Sequence, residues 1–387
     1  MDLTLPKEYD LLRQMIRDVM ENEFAPVAEE ADEKAEVPFD AIKVAAKAGL
    51  FGIPFPQQYG GSGAGEMGYV ILMEEVSRVD SAMSTVVGAH IGIAAMALYV
   101  DGSHALKEKY LTPLAQGTKI GAFCLTEPAA GSDAAAIKTR AVRSNGNWVI
   151  NGTKIYISNG PFADLFSVLA VTDPALGARG GVTAFVVEKE MGTKIGVIEK
   201  KLGIRASSTS EVIFDEVEVP TANVIGQEGL GFVTFMKTLD LGRVTVGAAS
   251  LGGAQKALEM IIDYARLAEK FGMPLAHQQQ VQFMIADLYS DVEMLRGLVY
   301  RTAWMVDNHR PFAREAYVCK LRGSEIASKA VSYAMEIHGA LGLSRDYPLE
   351  RSFRDARIAE IFEGTNEIQR IIIARDLLKE VGVHIEP

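Results

Sequence analysis

Residues 138–150 read Lys138-Thr139-Arg140-Ala141-Val142-Arg143-Ser144-Asn145-Gly146-Asn147-Trp148-Val149-Ile150, two extended runs on either side of an Asn-Gly turn. Asn-Gly between strand-forming residues is the strongest short-range signal for a β-hairpin. It interrupts a chain that is otherwise periodic at helical spacing. Upstream, amphipathic runs at 7–35, 39–48, 66–79, 82–99 and 103–111, broken by loops such as Pro54 to Gly65, predict an all-helical first domain. From Ile120 to about Val224 the period is strand-like, with further β-branched runs at 165–171, 182–187 and 211–219, which predicts a middle β domain, a small barrel or a sandwich. After Gly226-Gln227-Glu228-Gly229-Leu230-Gly231, long periodic segments at 232–270, 277–306, 313–340 and 366–380 predict a four-helix bundle. The class is α+β, with domains expected at 1–118, 119–228 and 229–387.

Composition narrows the function. A chain of 387 residues, 48% hydrophobic and 23% charged, is long enough to bury a large cofactor. A net charge of -11 disfavours nucleic acid and anionic membrane as partners. Two cysteines, Cys124 and Cys319, argue against a disulfide framework or a zinc site, and the six histidines, His384 among them, show no metal-ligand spacing. No metal is expected. The stretch Met1 to Pro6 lacks the basic and apolar regions of a secretory signal, and no stretch reads as long and apolar enough to span a bilayer. The expectation is a soluble, cytoplasmic enzyme. Gly63-Ala64-Gly65-Glu66-Met67-Gly68 satisfies G-x-G-x-x-G, but no strand precedes it and no acidic residue follows at the required distance, so a loop is expected there.

Three stretches carry candidate chemistry. In Ile361-Phe362-Glu363-Gly364-Thr365-Asn366-Glu367-Ile368-Gln369-Arg370, apolar neighbours would strip water from Glu363 and raise its pKa toward that of a general base. Gly364 permits close backbone approach to a ligand, and Thr365 can cap the helix that follows. The competing reading is a solvated glutamate in a helix-start loop. The segment from Phe123 through Leu125, Thr126 and Pro128 to Ser132 and Asp133 ends a strand in a turn whose backbone N–H groups and hydroxyls suit a planar heterocycle or a phosphate. In Asn151-Gly152-Thr153-Lys154-Ile155-Tyr156-Ile157-Ser158-Asn159-Gly160, Tyr156 and Ser158 are two apart on one strand and so share a face, where they can meet a ring ligand or serve the core.

Five segments in order, CLTEPAAGSD (124–133), NGTKIYISNG (151–160), GIRASSTSEVIFDEVEVP (203–220), IGQEGLGF (225–232) and RDARIAEIFEGTNEIQR (354–370), resemble the acyl-CoA dehydrogenase family across essentially the whole chain. The resemblance implies a helical domain, a β-barrel domain and a four-helix bundle. It also implies FAD, an acyl-CoA thioester of fatty acid metabolism, an electron-transferring flavoprotein as acceptor and a homotetramer built as a dimer of dimers. Carried over residue by residue, Glu363 is the catalytic base that takes the α-proton while the β-hydride goes to the flavin. Flavin contacts fall on Phe123, Leu125, Thr126, Ser132, Tyr156, Ser158, Phe271, Gln279, Thr365 and Glu367, and substrate contacts on Ser132, Asp240, Arg243 and Gly364.

Departures from the family pattern sharpen this. In isovaleryl and long-chain branches the base stands just before the arginine of the bundle helix; here that residue is Gly242, which leaves Glu363 and favours a short- or medium-chain-like relative. The arginine that glutaryl-type relatives use for a distal carboxylate aligns with Ser84. Tyr156 stands where many relatives carry tryptophan, and Ala268 replaces the arginine that reaches the FAD pyrophosphate across a dimer interface. Arg266 shares no helix face with that position, so weaker FAD retention or another phosphate partner is expected. Glu336 and Gly339-Ala340-Leu341-Gly342 replace the residues usual near the adenine. An oxygen-reducing oxidase or flavin monooxygenase on the same fold, and a non-catalytic acyl-CoA-binding protein, are the rival readings.

Overall fold

A computed structural model describes residues 5–383 and 385; residues 1–4 of the N-terminal stretch and His384 lie outside the described residues. The first domain is helical. The run predicted over 7–35 is not one rod: helix α1 (Lys7–Val19) passes through a π-wound turn (Met20–Phe24) and a 3-10 turn (Ala25–Val27) before a helix at Ala28–Lys34. Pro26, with no N–H to donate, sits at the break. Helix α2 (Gly65–Val79) is buried on nearly every side, which explains its near-continuous apolar sequence.

The glycine motif finds its use at the start of α2. Gly65 has φ +65, and a Cβ there would lie 2.5 Å from Asp307 Oδ1. The Asp307 carboxylate accepts the N–H groups of Glu66 at 2.7 Å and Met67 at 2.9 Å. The anion at this helix N-terminus is thus the protein's own side chain.

The segment Ser81–Asp101 corrects one expectation. By length and composition it could cross a membrane, yet 72% of its apolar window is buried inside the protein. It is a core helix, with a π-wound stretch at Gly88–Ala95. His90 on it accepts from Gly121 N–H and donates to Leu114 O, both at 3.0 Å, fastening the first strand to the helical domain. Burial pushes the imidazole down to about 4.

The middle domain contains β1 (Gly121–Cys124), β2 (Arg140–Ser144), β3 (Asn147–Ser158), β4 (Leu165–Val171), β5 (Val182–Glu188), β6 (Lys194–Ile198), β7 (Thr209–Pro220) and β8 (Val224–Ile225). The hairpin pairs Ser144 with Asn147 and Arg140 with Asn151. Asn145 and Gly146 both have positive φ, +49 and +82, as a twisted two-residue hairpin turn requires. The sheet order is β6-β7-β3-β2-β4-β5-β8, with β1 parallel to β4. Although β3 and β5 are not neighbours in that order, Trp148 and Phe185 meet edge to face at 5.5 Å. The mixed sheet therefore wraps around its own core, where Ala122, Ile150, Phe166, Val212 and Val217 also lie.

Helices α3 (Gly231–Leu267), α4 (Gln279–Asp307), α5 (Ala313–His338), α6 (Leu349–Ala356) and α7 (Asn366–Glu380) complete the chain. The short charged α6 has too few apolar residues to announce itself in the sequence. Small residues let α3 pack closely: a Cβ on Gly247 would lie 2.9 Å from Cys319 Cβ of α5, and one on Gly252 would lie 2.0 Å from Glu74 O of α2. Helix α3 is consequently the spine that sets the α5 side chains beside the loop entering α7. After α3, Glu269–Lys270 and Met273–Pro274 form a small hairpin whose tip, Phe271, is 95% exposed.

Candidate active site

A cavity of about 1340 Å³ lies between the ends of β1 and β3, helix α3 and the loop before α7. Its walls include Phe123, Leu125, Thr126 and Ser132 from the β1 end, Tyr156 and Ser158 from β3, Arg243 from α3, and Glu363, Gly364 and Thr365 from the loop before α7. Apolar side chains such as Ile93, Phe232, Met236 and Leu239 line it further in.

The loop that carries Glu363 is strained and held. Glu363 has φ +52, uncommon for a residue with a side chain, and Gly364 has φ +93. Two donors grip it: Gln369 Nε2 reaches Gly364 O at 2.9 Å and Glu363 O at 3.3 Å, and Arg243 Nε points at Glu363 O from 3.4 Å. Thr365 caps α7 by accepting from Ile368 N–H at 3.3 Å. Arg243 is buried and in turn fixed by Asp240 Oδ1 at 2.6 Å, while its guanidinium lies over the Tyr317 ring. Tyr317 donates to the same Asp240 oxygen at 3.0 Å.

Glu363 Oε2 is sealed from solvent and has no hydrogen-bond partner. Desolvation raises its carboxyl to about 7, against the opposing pull of Arg243 and Lys320. Its space comes from Gly242, where a Cβ would lie only 2.4 Å from Oε2. A buried acceptor with no partner, titrating near neutrality beside an open cavity, is equipped to take a proton from a ligand.

The other wall is anchored from behind. Lys154 is fully buried; its Nζ donates to Leu125 O at 3.0 Å and Glu127 Oε1 at 2.8 Å, and the Glu127 carboxylate also accepts from Lys138 and Thr139 N–H. Burial pushes the Glu127 carboxyl up, but the Lys154 ammonium and the donated bonds outweigh it and leave it below its ordinary value. A register shift in the β3–β7 ladder between Lys154 and Ile157 inserts one extra residue. This bulge, with Tyr156 at φ +56, leaves Lys154 and Ile157 buried and Tyr156 exposed at the cavity. Ile155 N–H bonds Thr126 O at 2.9 Å, joining β3 to the turn that follows β1.

Sequence models of three domains match this chain: acyl-CoA dehydrogenase N-terminal domain over 6–118, middle domain over 122–217 and C-terminal domain over 229–378. The chain belongs to the acyl-CoA dehydrogenase family. It is an oxidoreductase of the class acting on CH–CH bonds, and family members are flavoproteins. It is 41% identical over 380 residues to the short-chain specific acyl-CoA dehydrogenase of Clostridium acetobutylicum, covering 98% of this chain and 100% of the relative. Butyryl-CoA dehydrogenase from Megasphaera elsdenii superposes with a TM-score of 0.95 at 37% identity, over 98% of this chain and 100% of that one. A chain in the structure described as electron transferring flavoprotein of Acidaminococcus fermentans gives a TM-score of 0.96 at 39% identity, over 98% and 100%.

Against this acyl-CoA dehydrogenase frame, most residues singled out in the sequence meet in one cavity, and four do not. Phe271 and Gln279 are exposed and lie outside the cavity, on and just after the small hairpin. Glu367 is exposed on the first turn of α7, and Asp240 engages Arg243 and Tyr317 instead of lining the cavity. Sequence reasoning missed Gln369, the Lys154–Glu127 pair and Lys320. Lys320 had a signal: it shares the apolar stripe of α5 with Ala316, Cys319, Gly323 and Ala327, a position where a lysine is out of place.

Proposed function

We propose that the protein carries out FAD-dependent α,β-dehydrogenation of a short acyl-CoA thioester to a trans-2-enoyl-CoA. The observation that carries this reading is Glu363 Oε2, a buried and unpartnered acceptor raised to about 7 and facing a cavity walled by the cradle residues. Glu363 takes the α-proton. Its backbone N–H and the strained Gly364 turn orient the thioester carbonyl, and Arg243, locked by Asp240, holds the loop while Ser132 borders the path of the pantetheine arm. Oriented donors in a water-excluded site of this kind are worth about 3 kcal/mol each.

The cavity residues fit the cofactor: Phe123, Leu125, Thr126, Ser132, Tyr156, Ser158 and Thr365 would hold FAD, which when bound supplies the acceptor for the β-hydride. Phe271 and Gln279 would serve the flavin of a neighbouring copy, in keeping with a homotetramer, and Glu367 borders the cradle from α7. Electrons would pass to an electron-transferring flavoprotein, a reading supported by the Acidaminococcus fermentans neighbour. The short-chain reading is supported by the names of the Clostridium acetobutylicum and Megasphaera elsdenii proteins.

Anaerobic bleaching of the flavin by a panel of acyl-CoA thioesters tests the whole reading. Butyryl-CoA should bleach the holoenzyme, with a rate that rises with pH through about 7. Glu363→Gln should bind FAD and fail to bleach. Unimpaired bleaching by this variant would reject the base, and stoichiometric peroxide from the native enzyme under air would favour the oxidase.

A further inference from the structure

Lys320 on α5 is fully buried, and its ammonium has a neutral amide for a partner: Nζ donates to Asn366 Oδ1 at 2.9 Å, an oxygen that Ser324 Oγ also reaches at 3.1 Å. Burying an ammonium is unfavourable unless an opposite charge compensates it. Among the described residues the charges facing it are Glu363, Glu360 and Glu367 from the base loop and its flanks, and Arg243 from α3. Of these carboxylates, Glu363 is the one whose oxygen is buried without a partner. Asn366, the acceptor, is buried and begins α7 three residues after the base.

We propose that Lys320 is a positioning residue for the base: held by Asn366 at the start of α7, its ammonium joins the Arg243 guanidinium in opposing the protonation of Glu363 that burial favours. This rests on the reading of Glu363 as the base. The groups that face Glu363 are then Arg243 from α3, Lys320 from α5 and the buried hydroxyl of Tyr69 from α2. Arg243 is already engaged by Asp240 at 2.6 Å, whereas Lys320 has no carboxylate in ion-pair contact among the described residues. Removing Lys320 therefore leaves Glu363 with a cation whose charge is largely answered elsewhere.

The test is an infrared pH titration of the Glu363 carboxyl in substrate-free enzyme, the band being assigned by its loss in Glu363→Gln. Lys320→Met should raise the midpoint by about one pH unit, as expected for loss of a nearby opposite charge, and Lys320→Arg should leave it near the native value. The pH profile of flavin reduction should move with it. Lys320→Gln keeps a donor for Asn366 without the charge and gives the same reading if the methionine variant does not fold. An unchanged midpoint in either folded variant overturns the proposal, whatever the activity. Failure of both to fold while Lys320→Arg folds also overturns it, leaving a purely structural lysine. Activity surviving in Glu363→Gln would instead reject the base, while the infrared midpoint still decides the electrostatic role of Lys320.

Discussion

Substituting Gly242 by alanine isolates the space that α3 reserves for the base. The added Cβ would sit 2.4 Å from Glu363 Oε2 and 3.3 Å from Cδ, with Ile93 Cγ2 at 3.4 Å, whereas an ordinary contact is 3.4 Å or more. The difference, 3.4 minus 2.4, means the carboxylate must retreat by about 1 Å, since the methyl is fixed on the helix backbone and the end of the glutamate side chain is what can give. A displacement of about 1 Å in a reacting group can reduce the rate roughly 100-fold, equivalent to about 2.7 kcal/mol in the barrier. Helix propensity acts the other way, because alanine is about 1 kcal/mol better than glycine inside a helix. The variant should thus fold at least nearly as well as the native enzyme, keep its flavin, and reduce it about 100-fold more slowly with butyryl-CoA in single-turnover stopped flow. Gly297→Ala, exposed on α4 with nothing near its new Cβ, is the control and should gain stability with no change in rate. A Gly242→Ala enzyme within twofold of native, or a control that slows equally, would refute the steric argument.

Two further outcomes are expected. The Glu363 carboxyl is raised from 4.5 to about 7, so the folded state binds more protons than the unfolded one across that window and stability falls as pH rises through it. Glu363→Gln should accordingly be more stable than native above pH 7, by about 3 kcal/mol, with the gap closing below pH 4.5; denaturant melts at several pH values measure it. Lys154→Met strands the Glu127 carboxylate in the cradle wall and should lower stability by about 3 to 5 kcal/mol and loosen FAD, read by denaturation and by cofactor loss on dialysis. Adding Glu127→Leu should recover most of the loss; if it recovers none, the buried pair is not what holds the wall.

The hairpin at 140–158 and the long helices were legible because their signals are local: Asn145-Gly146 supplies two positive-φ residues in sequence, and apolar spacing over twenty or more residues has few alternatives. The break at Pro26 and the short α6 were less so, since one depends on the winding of adjacent turns and the other buries few side chains. The apolar 81–101 segment carries the same composition whether it lies in lipid or in a protein core, and packing decided for the core. Alternation put Tyr156 and Ser158 on one face and both do line the cavity, but only the extra residue in β3 decided that this face is opposite to the side where Ile157 is buried with Lys154.

By itself the sequence determined the helical, β and helical division and the turn that carries Glu363, because these follow from residue type and near-neighbour spacing, while the meaning of Gly242 came from the family resemblance. Only the tertiary structure decided what that glutamate experiences. Gly242 makes its space, Arg243 and Gln369 hold its carbonyl, and Lys320 supplies charge from α5. Desolvation and charge pairing act through space, so the proton affinity of the base belongs to the packing of α3 and α5 around one loop.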